Sequence, residues 1–115
     1  MITEKALELI RNYVLTTFVQ YNVGRGGDAS SINGTGLDSP FHASNQTSGI
    51  SISKSGVTSL DYTITLNGST YVGETLKEVG IFDASGHMLI RVPFEAVGPF
   101  TSSQDIELVL TVDVI

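Results

Sequence analysis

Side chains that could carry chemistry are few in this 115-residue chain. The two imidazoles, His42 and His87, lie 45 positions apart, and neither has a clustered pair of carboxylates beside it in the sequence. A zinc site needs three or four ligands, so these two histidines do not predict one. The chain has no cysteine, which excludes thiolate metal sites and thiol catalysis, and it has no Gly-x-Ser-x-Gly elbow. The sequence therefore predicts a protein that is not an enzyme, with no catalytic residue, no metal and no other cofactor.

Residues 24–40 form a second place where a ligand could bind. The segment is so rich in glycine, serine and asparagine that it must be a long loop, and loops of this length are usually functional or mobile. Four side chains in and after it offer oxygen ligands for calcium: Asp28, Asn33, Asp38 and Asn45. These four residues lack the spacing of a known calcium loop. The start of the segment, Gly-Arg-Gly-Gly-Asp, could suggest a phosphate-binding loop, but it lacks the lysine and the strand–loop–helix context of one. Whether this loop binds calcium, a glycan or a receptor stays open.

Composition limits the classes of protein that need considering. Hydrophobic residues make up 41 % of the chain, so it should fold, and its length favours a single domain over residues 1–115. Twelve acidic against six basic residues give a net charge of −6, which opposes binding to nucleic acid. We expect no membrane segment, because no apolar run approaches the roughly 18 residues of a span. The amino terminus carries charges within its apolar run, which argues against a signal peptide.

The elements expected along the chain are one helix and several short strands. Residues 1–13 predict the helix, with Thr3 as its cap and helical structure from Thr3 to about Tyr13. The β-branched and alternating segments that follow predict strands at Phe18–Val23, weakly at Phe41–Ala43, then at Ile50–Lys54, Val57–Leu66, Leu76–Phe94 (a hairpin) and Ile106–Ile115. About seven strands with a leading helix indicate a mainly β fold, an antiparallel β-sandwich or barrel-like domain. Several of these strands are apolar on both faces, which predicts a homo-oligomer.

The hairpin is the most secure of these elements. Its strands flank an Asp-Ala-Ser-Gly turn that ends in Gly86, where a left-handed residue is required. A four-residue loop places Phe82 opposite His87 and therefore Glu78 opposite Arg91. Glu78 would then either face solvent or pair with Arg91 across the hairpin, an ion pair that would set the register of the two strands.

Six features of the chain carry a family likeness: the amino-terminal Ile-Thr-Glu-Lys-Ala-Leu-Glu-Leu-Ile-Arg helix, Asn22-Val-Gly-Arg-Gly-Gly-Asp28, Gly34-Thr-Gly-Leu37, Glu78-Val-Gly-Ile-Phe-Asp83, Gly86-His-Met-Leu-Ile-Arg91 and Phe94. In this order they resemble small virion proteins of tailed phages and archaeal tailed viruses. In those proteins a Leu followed by Glu and Arg precedes the hairpin, whereas here Leu37 is followed by Asp38-Ser-Pro-Phe-His42. The hairpin is the distinctive portion of the match, and no catalytic residue is implied by it.

The resemblance implies a structural protein of the virion whose partners are further copies of itself and other virion proteins. A tail, fibre or baseplate role competes with a capsid decoration or turret role, since both need a compact β domain with exposed edges. The candidate assembly residues lie in the hairpin: Glu78, Gly80, Phe82, Gly86, Arg91 and Phe94. A different class of protein, a glycan- or receptor-binding β module, has weaker support, because the chain lacks tryptophan and most Tyr and Phe lie in strand-like segments.

Overall fold

The computed structural model describes residues 1–26, 36–37 and 39–114. Over these residues the chain forms one helix and six strands. Their bounds are α1 Glu4–Thr17, β1 Gln20–Gly24, β2 Ile50–Lys54, β3 Ser59–Leu66, β4 Leu76–Phe82, β5 Met88–Val97 and β6 Ile106–Asp113. The predicted mainly β fold with an amino-terminal helix is confirmed.

The strands form two antiparallel sheets of three strands each. The first has the order β1-β4-β5 and the second the order β2-β3-β6. In the second sheet, Leu60 pairs with Val112 and Tyr62 with Leu110, so the alternating apolar residues of β3 and β6 share one face. Because side chains of both sheets enter one continuous core, the arrangement is sandwich-like.

The centre of this core comes from the middle strand of each sheet. In β3 every second residue, Leu60 to Leu66, is completely buried, as the period-two pattern predicts. In β4, Val79 and Ile81 are also completely buried. Removing one such side chain from water contributes about 1.5–3 kcal/mol to stability, which makes β3 and β4 the main source of folding energy.

The helix extends four residues beyond the predicted end at Tyr13. Thr3 is its N-cap, as predicted, and its hydroxyl accepts a hydrogen bond from the Ala6 amide at 3.1 Å. Residues 14–17 are mostly β-branched, which lowers helix propensity, but Val14 is buried in the core and its packing outweighs that preference. The helix end is tied to the second sheet by the Tyr62 hydroxyl, which donates to the Phe18 carbonyl at 2.9 Å.

The predicted strand at Phe41–Ala43 is wrong, although the surrounding segment does pair with β1. The Phe41 amide donates to the Val23 carbonyl at 2.8 Å, and Tyr21 and Gln46 exchange two backbone hydrogen bonds. Residues 39–46 therefore cover the free edge of β1 through isolated bridges instead of a regular ladder.

Most of the predicted loop at 24–40 falls on residues 27–35 and 38, which lie outside the described residues, as does residue 115 at the end of the last predicted strand. The calcium candidates Asp28, Asn33 and Asp38 lie outside them as well, whereas Asn45 is described. The Asn45 amide oxygen accepts a hydrogen bond from the Asn22 side chain at 3.3 Å.

Candidate functional site

Glu78 and Arg91, proposed from the sequence as a cross-strand pair, form a buried ion pair. Arg91 Nε donates to Glu78 Oε1 at 2.9 Å. The Glu78 side chain is completely buried and that of Arg91 is 8 % exposed. The alternative expectation, that Glu78 faces solvent, is wrong.

The predicted register of the hairpin is also wrong, by two residues at this pair. Arg91 lies opposite Gly80, and Glu78 lies opposite Pro93. The turn explains the shift, because the Asp83 carboxylate accepts hydrogen bonds from the amides of Ser85 and His87 and holds His87 outside the strands. The strands then begin pairing at Phe82 with Met88, and a bulge follows. Gly86 has the positive φ, +87°, that its place in the turn predicts.

The ion pair runs diagonally between the two strands, and the glycines at positions 80 and 24 leave the space that it occupies. Gly80, directly opposite Arg91, leaves room for the guanidinium to reach Glu78 on the same face of the sheet. On the other side of β4, Gly24 lies opposite Glu78, and a Cβ there would overlap the carboxylate. The Ser39 amide also donates to Glu78 Oε2 at 3.1 Å, which attaches the segment that covers β1 to this face.

Phe82 and Leu37 complete the cover over this face. Their side-chain carbons stand about 3 Å from the position that a Cβ on Gly80 would take. Phe82 itself is 5 % exposed, and Phe94 in β5 is half-buried against the core. The carboxylate of Glu78 is thus enclosed and hydrogen-bonded, which suits a structural role and leaves no open position for a substrate.

A second cluster, which the sequence did not predict, lies at the covered edge of β1. The Tyr71 ring contacts those of Phe41, His42 and Phe100, and Phe41 also contacts His42, with centroid separations from 4.9 to 5.7 Å. The Arg25 guanidinium lies 4.9 Å above the Phe41 ring, within the range of a cation–π contact. No spacing in the sequence indicates that Tyr71 meets His42, 29 residues away.

His42 and Tyr71 line a cavity of about 270 Å³ together with Tyr21. His42 Nε2 and the Tyr71 hydroxyl share a hydrogen bond of 2.7 Å. Burial lowers the pKa of His42, so its ring is neutral at pH 7. Burial, with a contribution from Tyr21, raises the pKa of Tyr71, so its hydroxyl keeps its proton.

The helix presents a third feature, an apolar face whose larger side chains stay exposed in the described part of the chain. We call Ala6, Leu9, Ile10 and Tyr13 the outer stripe of α1. They follow the i, i+3, i+4, i+7 spacing of one helix face, and Leu9, Ile10 and Tyr13 are 57 %, 41 % and 62 % exposed. A different face packs inward through Val14 and Arg11.

Arg11 is buried because its guanidinium has a partner on the β2–β3 turn. Its Nη1 atom donates to the Gly56 carbonyl, and its Nη2 atom donates to the Asn12 side chain at 3.1 Å. The helix thus buries an arginine while it exposes Leu9 and Tyr13. The spacing of the outer stripe is visible in the sequence, but which of the two apolar faces would be packed is not.

The described residues contain no group of three His, Asp or Glu side chains placed to hold a metal ion. His42 bonds Tyr71, while His87 lies at the exposed hairpin turn with its Nδ1 atom 3.0 Å from Asp83 Oδ2. Over the same residues, no helix is both long enough and apolar enough to cross a membrane.

Comparison of the chain with protein-family models, with curated proteins and with solved structures finds no match. The structure therefore defines the class of this protein by its architecture, which is a small antiparallel two-sheet β domain with an amino-terminal helix.

Proposed function

We propose that this protein is a non-enzymatic structural component of a virion and assembles as a homo-oligomer. Its place would be in the tail, fibre or baseplate apparatus of a tailed virus, or on the capsid surface as a decoration or turret protein. The virion assignment rests on the resemblance of the Glu78 to Phe94 hairpin. The homo-oligomer rests on one observation, the exposed outer stripe of α1.

The outer stripe supports assembly because a helix of a lone domain seldom exposes large apolar side chains on one face while a second face is packed. Leu9, Ile10 and Tyr13 together form a ridge along more than one turn of α1. Ridges of this kind pack into the grooves of another helix.

A second copy of this chain is the occupant that the surroundings of the stripe favour. The stripe carries no charge, so it offers nothing that would select a charged partner. Lys5 and Glu8 beside it lie 3.8 Å apart as a local ion pair, so neither charge requires a partner of opposite charge on another molecule. Two copies related by a two-fold axis would place the same stripe against itself.

The buried face beneath the hairpin supports a structural role in a different way. Glu78 and Arg91 are enclosed and engaged with each other, and the Ser39 amide binds the same carboxylate. Such a pair maintains the relative position of the hairpin and the segment at Ser39 that covers β1.

Two measurements test the proposal. The mass of the purified protein in solution should be a defined multiple of 12.2 kDa at micromolar concentration. The protein should also be found in gradient-purified virus particles, where labelled antibody would distinguish the tail from the capsid. A monomer at all accessible concentrations would contradict assembly, and absence from purified particles would contradict the virion assignment.

A further inference from the structure

We propose that the cavity lined by Tyr21, His42 and Tyr71 is a binding site for a neutral sugar residue. The inference goes beyond the structural role proposed above and does not depend on it. It rests on the size of the cavity, on the absence of charge in its lining and on the fixed aromatic wall.

The size of the cavity suits a single ring. Its volume of about 270 Å³ lies just below the range of about 300–1,000 Å³ that holds drug-sized ligands. It opens between the segment that covers β1 and the carboxyl end of β3, where Gln46, Thr65 and Asn67 contribute to the lining. A monosaccharide or the terminal residue of a glycan matches this space, whereas an extended peptide does not.

The lining selects against charged and against purely apolar ligands. Every described lining residue is uncharged when His42 is neutral, so an ion would lose its hydration without gaining a counter-charge. The rim offers hydroxyls and amides, among them Ser48, Thr70 and Asn67. An apolar ligand would cover these groups without bonding them, at a cost of about 1–3 kcal/mol for each one buried. A ligand with many hydroxyls and no charge satisfies both conditions.

The wall of the cavity is held in place before any ligand arrives. Tyr71 is 2 % exposed, with its ring packed against Phe41 and Phe100 and its hydroxyl bonded to His42. Tyr21 is anchored in β1, where its backbone exchanges two hydrogen bonds with Gln46. A wall that is fixed in advance lowers the entropy lost on binding, and the small exposed parts of the two tyrosines add apolar contact beside the polar rim.

The backbone leaves the mouth of the cavity open at Gly49. This residue has a φ of +77°, and its carbonyl accepts a hydrogen bond from the Thr65 amide at 2.8 Å. A side chain at this position would project near the Tyr21 hydroxyl and the Thr65 carbonyl. Glycine therefore keeps the space beside Tyr21 free.

The test is a titration of the whole ¹⁵N-labelled chain followed by NMR. The probes are glucose, galactose and N-acetylglucosamine as neutral sugars, glucuronate as a charged sugar and cyclohexanol as an apolar ring. At least one neutral sugar should give saturable shifts at the amides of residues 46–49 and 65–71, with a dissociation constant in the millimolar range (about 1–10 mM). Glucuronate and cyclohexanol should bind at least about ten-fold more weakly.

Two tryptophan substitutions on exposed residues provide the matched comparison. Ser48→Trp places a bulky ring at the cavity and should abolish the shifts, while Ser53→Trp on β2 lies outside the lining and should leave them unchanged. The spectrum of each free variant shows directly whether it is folded.

Three outcomes would overturn the proposal. They are the absence of saturable shifts with every neutral sugar, tighter binding of glucuronate or cyclohexanol, and retention of full sugar binding by Ser48→Trp. None of these outcomes bears on oligomerisation or on the presence of the protein in virions, so the two proposals fail separately.

Discussion

Arg91 binds Glu78 although the two residues are not opposite each other in the hairpin: Nε lies 2.9 Å from Oε1, while the backbone partner of Arg91 is Gly80. Both side chains are withdrawn from solvent. The pair therefore depends on Gly80, which lies opposite Arg91 and has no side chain in the way. Through the Ser39 amide, the pair also joins both hairpin strands to the segment at Ser39.

Removing one partner of this pair should destabilise the fold strongly. Arg91→Met leaves the Glu78 carboxylate buried without its arginine, so we expect a loss of about 3–5 kcal/mol in the free energy of unfolding. The double variant Glu78→Leu/Arg91→Met should recover most of that loss, because it leaves no buried charge. Denaturant unfolding of the wild type, both single variants and the double variant measures the effect. Equal stability of Arg91→Met and the wild type would contradict the importance of the pair.

Gly24 should not tolerate even a methyl group. Gly24→Ala would drive its Cβ into the buried carboxylate of Glu78, so we expect a loss of about 1–3 kcal/mol. Gly36→Ala is the matched control, since no atom lies within 4 Å of the Cβ it would add. Thermal and denaturant unfolding should separate the two variants. If both variants lost the same amount of stability, the general effect of alanine on the backbone would account for the loss, and the contact with Glu78 would not be its cause.

Acid should weaken the fold through His42. Burial lowers the pKa of this ring below 6.5 in the folded state, so the unfolded chain takes up a proton first as the pH falls through 6.5. The stability associated with the neutral ring is fully present above that pH and decreases below it, until the folded ring is protonated as well. His42→Gln should remove this part of the pH dependence.

NMR titration of the imidazole resonances provides the direct measurement. The midpoint for His42 should lie below 6.5. A midpoint at or above that value would contradict the assigned environment.

Asp83 should act in a separate and lower pH range. Desolvation raises the pKa of its carboxyl. Hydrogen bonds from the His87 amide and ring, the charge of His87 and a hydrogen bond from the Ser85 amide act in the opposite direction. Together they outweigh desolvation, so the pKa of Asp83 lies below 3.8. Its contribution to stability is therefore present above that value and lost as the pH falls further. Asp83→Asn should leave the pH dependence assigned to His42 unchanged while it removes the change in stability that Asp83 causes below pH 3.8.

The outer stripe of α1 should be needed for assembly and unnecessary for folding. Leu9→Glu places a charge in the middle of the stripe and removes apolar area worth about 1.5–3 kcal/mol per copy, so the dissociation constant of the oligomer should rise at least about ten-fold. Lys5→Gln, at a position that is 76 % exposed and lies off the stripe, is the control and should preserve the oligomer mass. Sedimentation equilibrium measures the masses, and circular dichroism should show that both variants keep the helix. An unchanged mass for Leu9→Glu would exclude the stripe as the interface.

The local pattern of the sequence determined much of this fold. The alternation from Leu60 to Leu66 predicts a strand with one buried face, because side chains of a strand point to opposite sides in turn. The cap at Thr3 and the turn at Gly86 are likewise local, since each depends on a few neighbouring residues. These features follow from residue types and their spacing alone, and they are confirmed.

Only the tertiary structure decided which groups meet. The hairpin register is set locally, by the Asp83 carboxylate that accepts a hydrogen bond from the His87 amide, but a shift by two residues keeps the same residues on the same face, so the apolar pattern could not detect it. The cavity brings Tyr21, His42 and Tyr71 together from distant parts of the chain. The choice between the two apolar faces of α1 depends on the partner that Arg11 finds at Gly56. Burial and long-range hydrogen bonds arise only from packing, and for that reason the sequence determined the elements while the packing determined the sites.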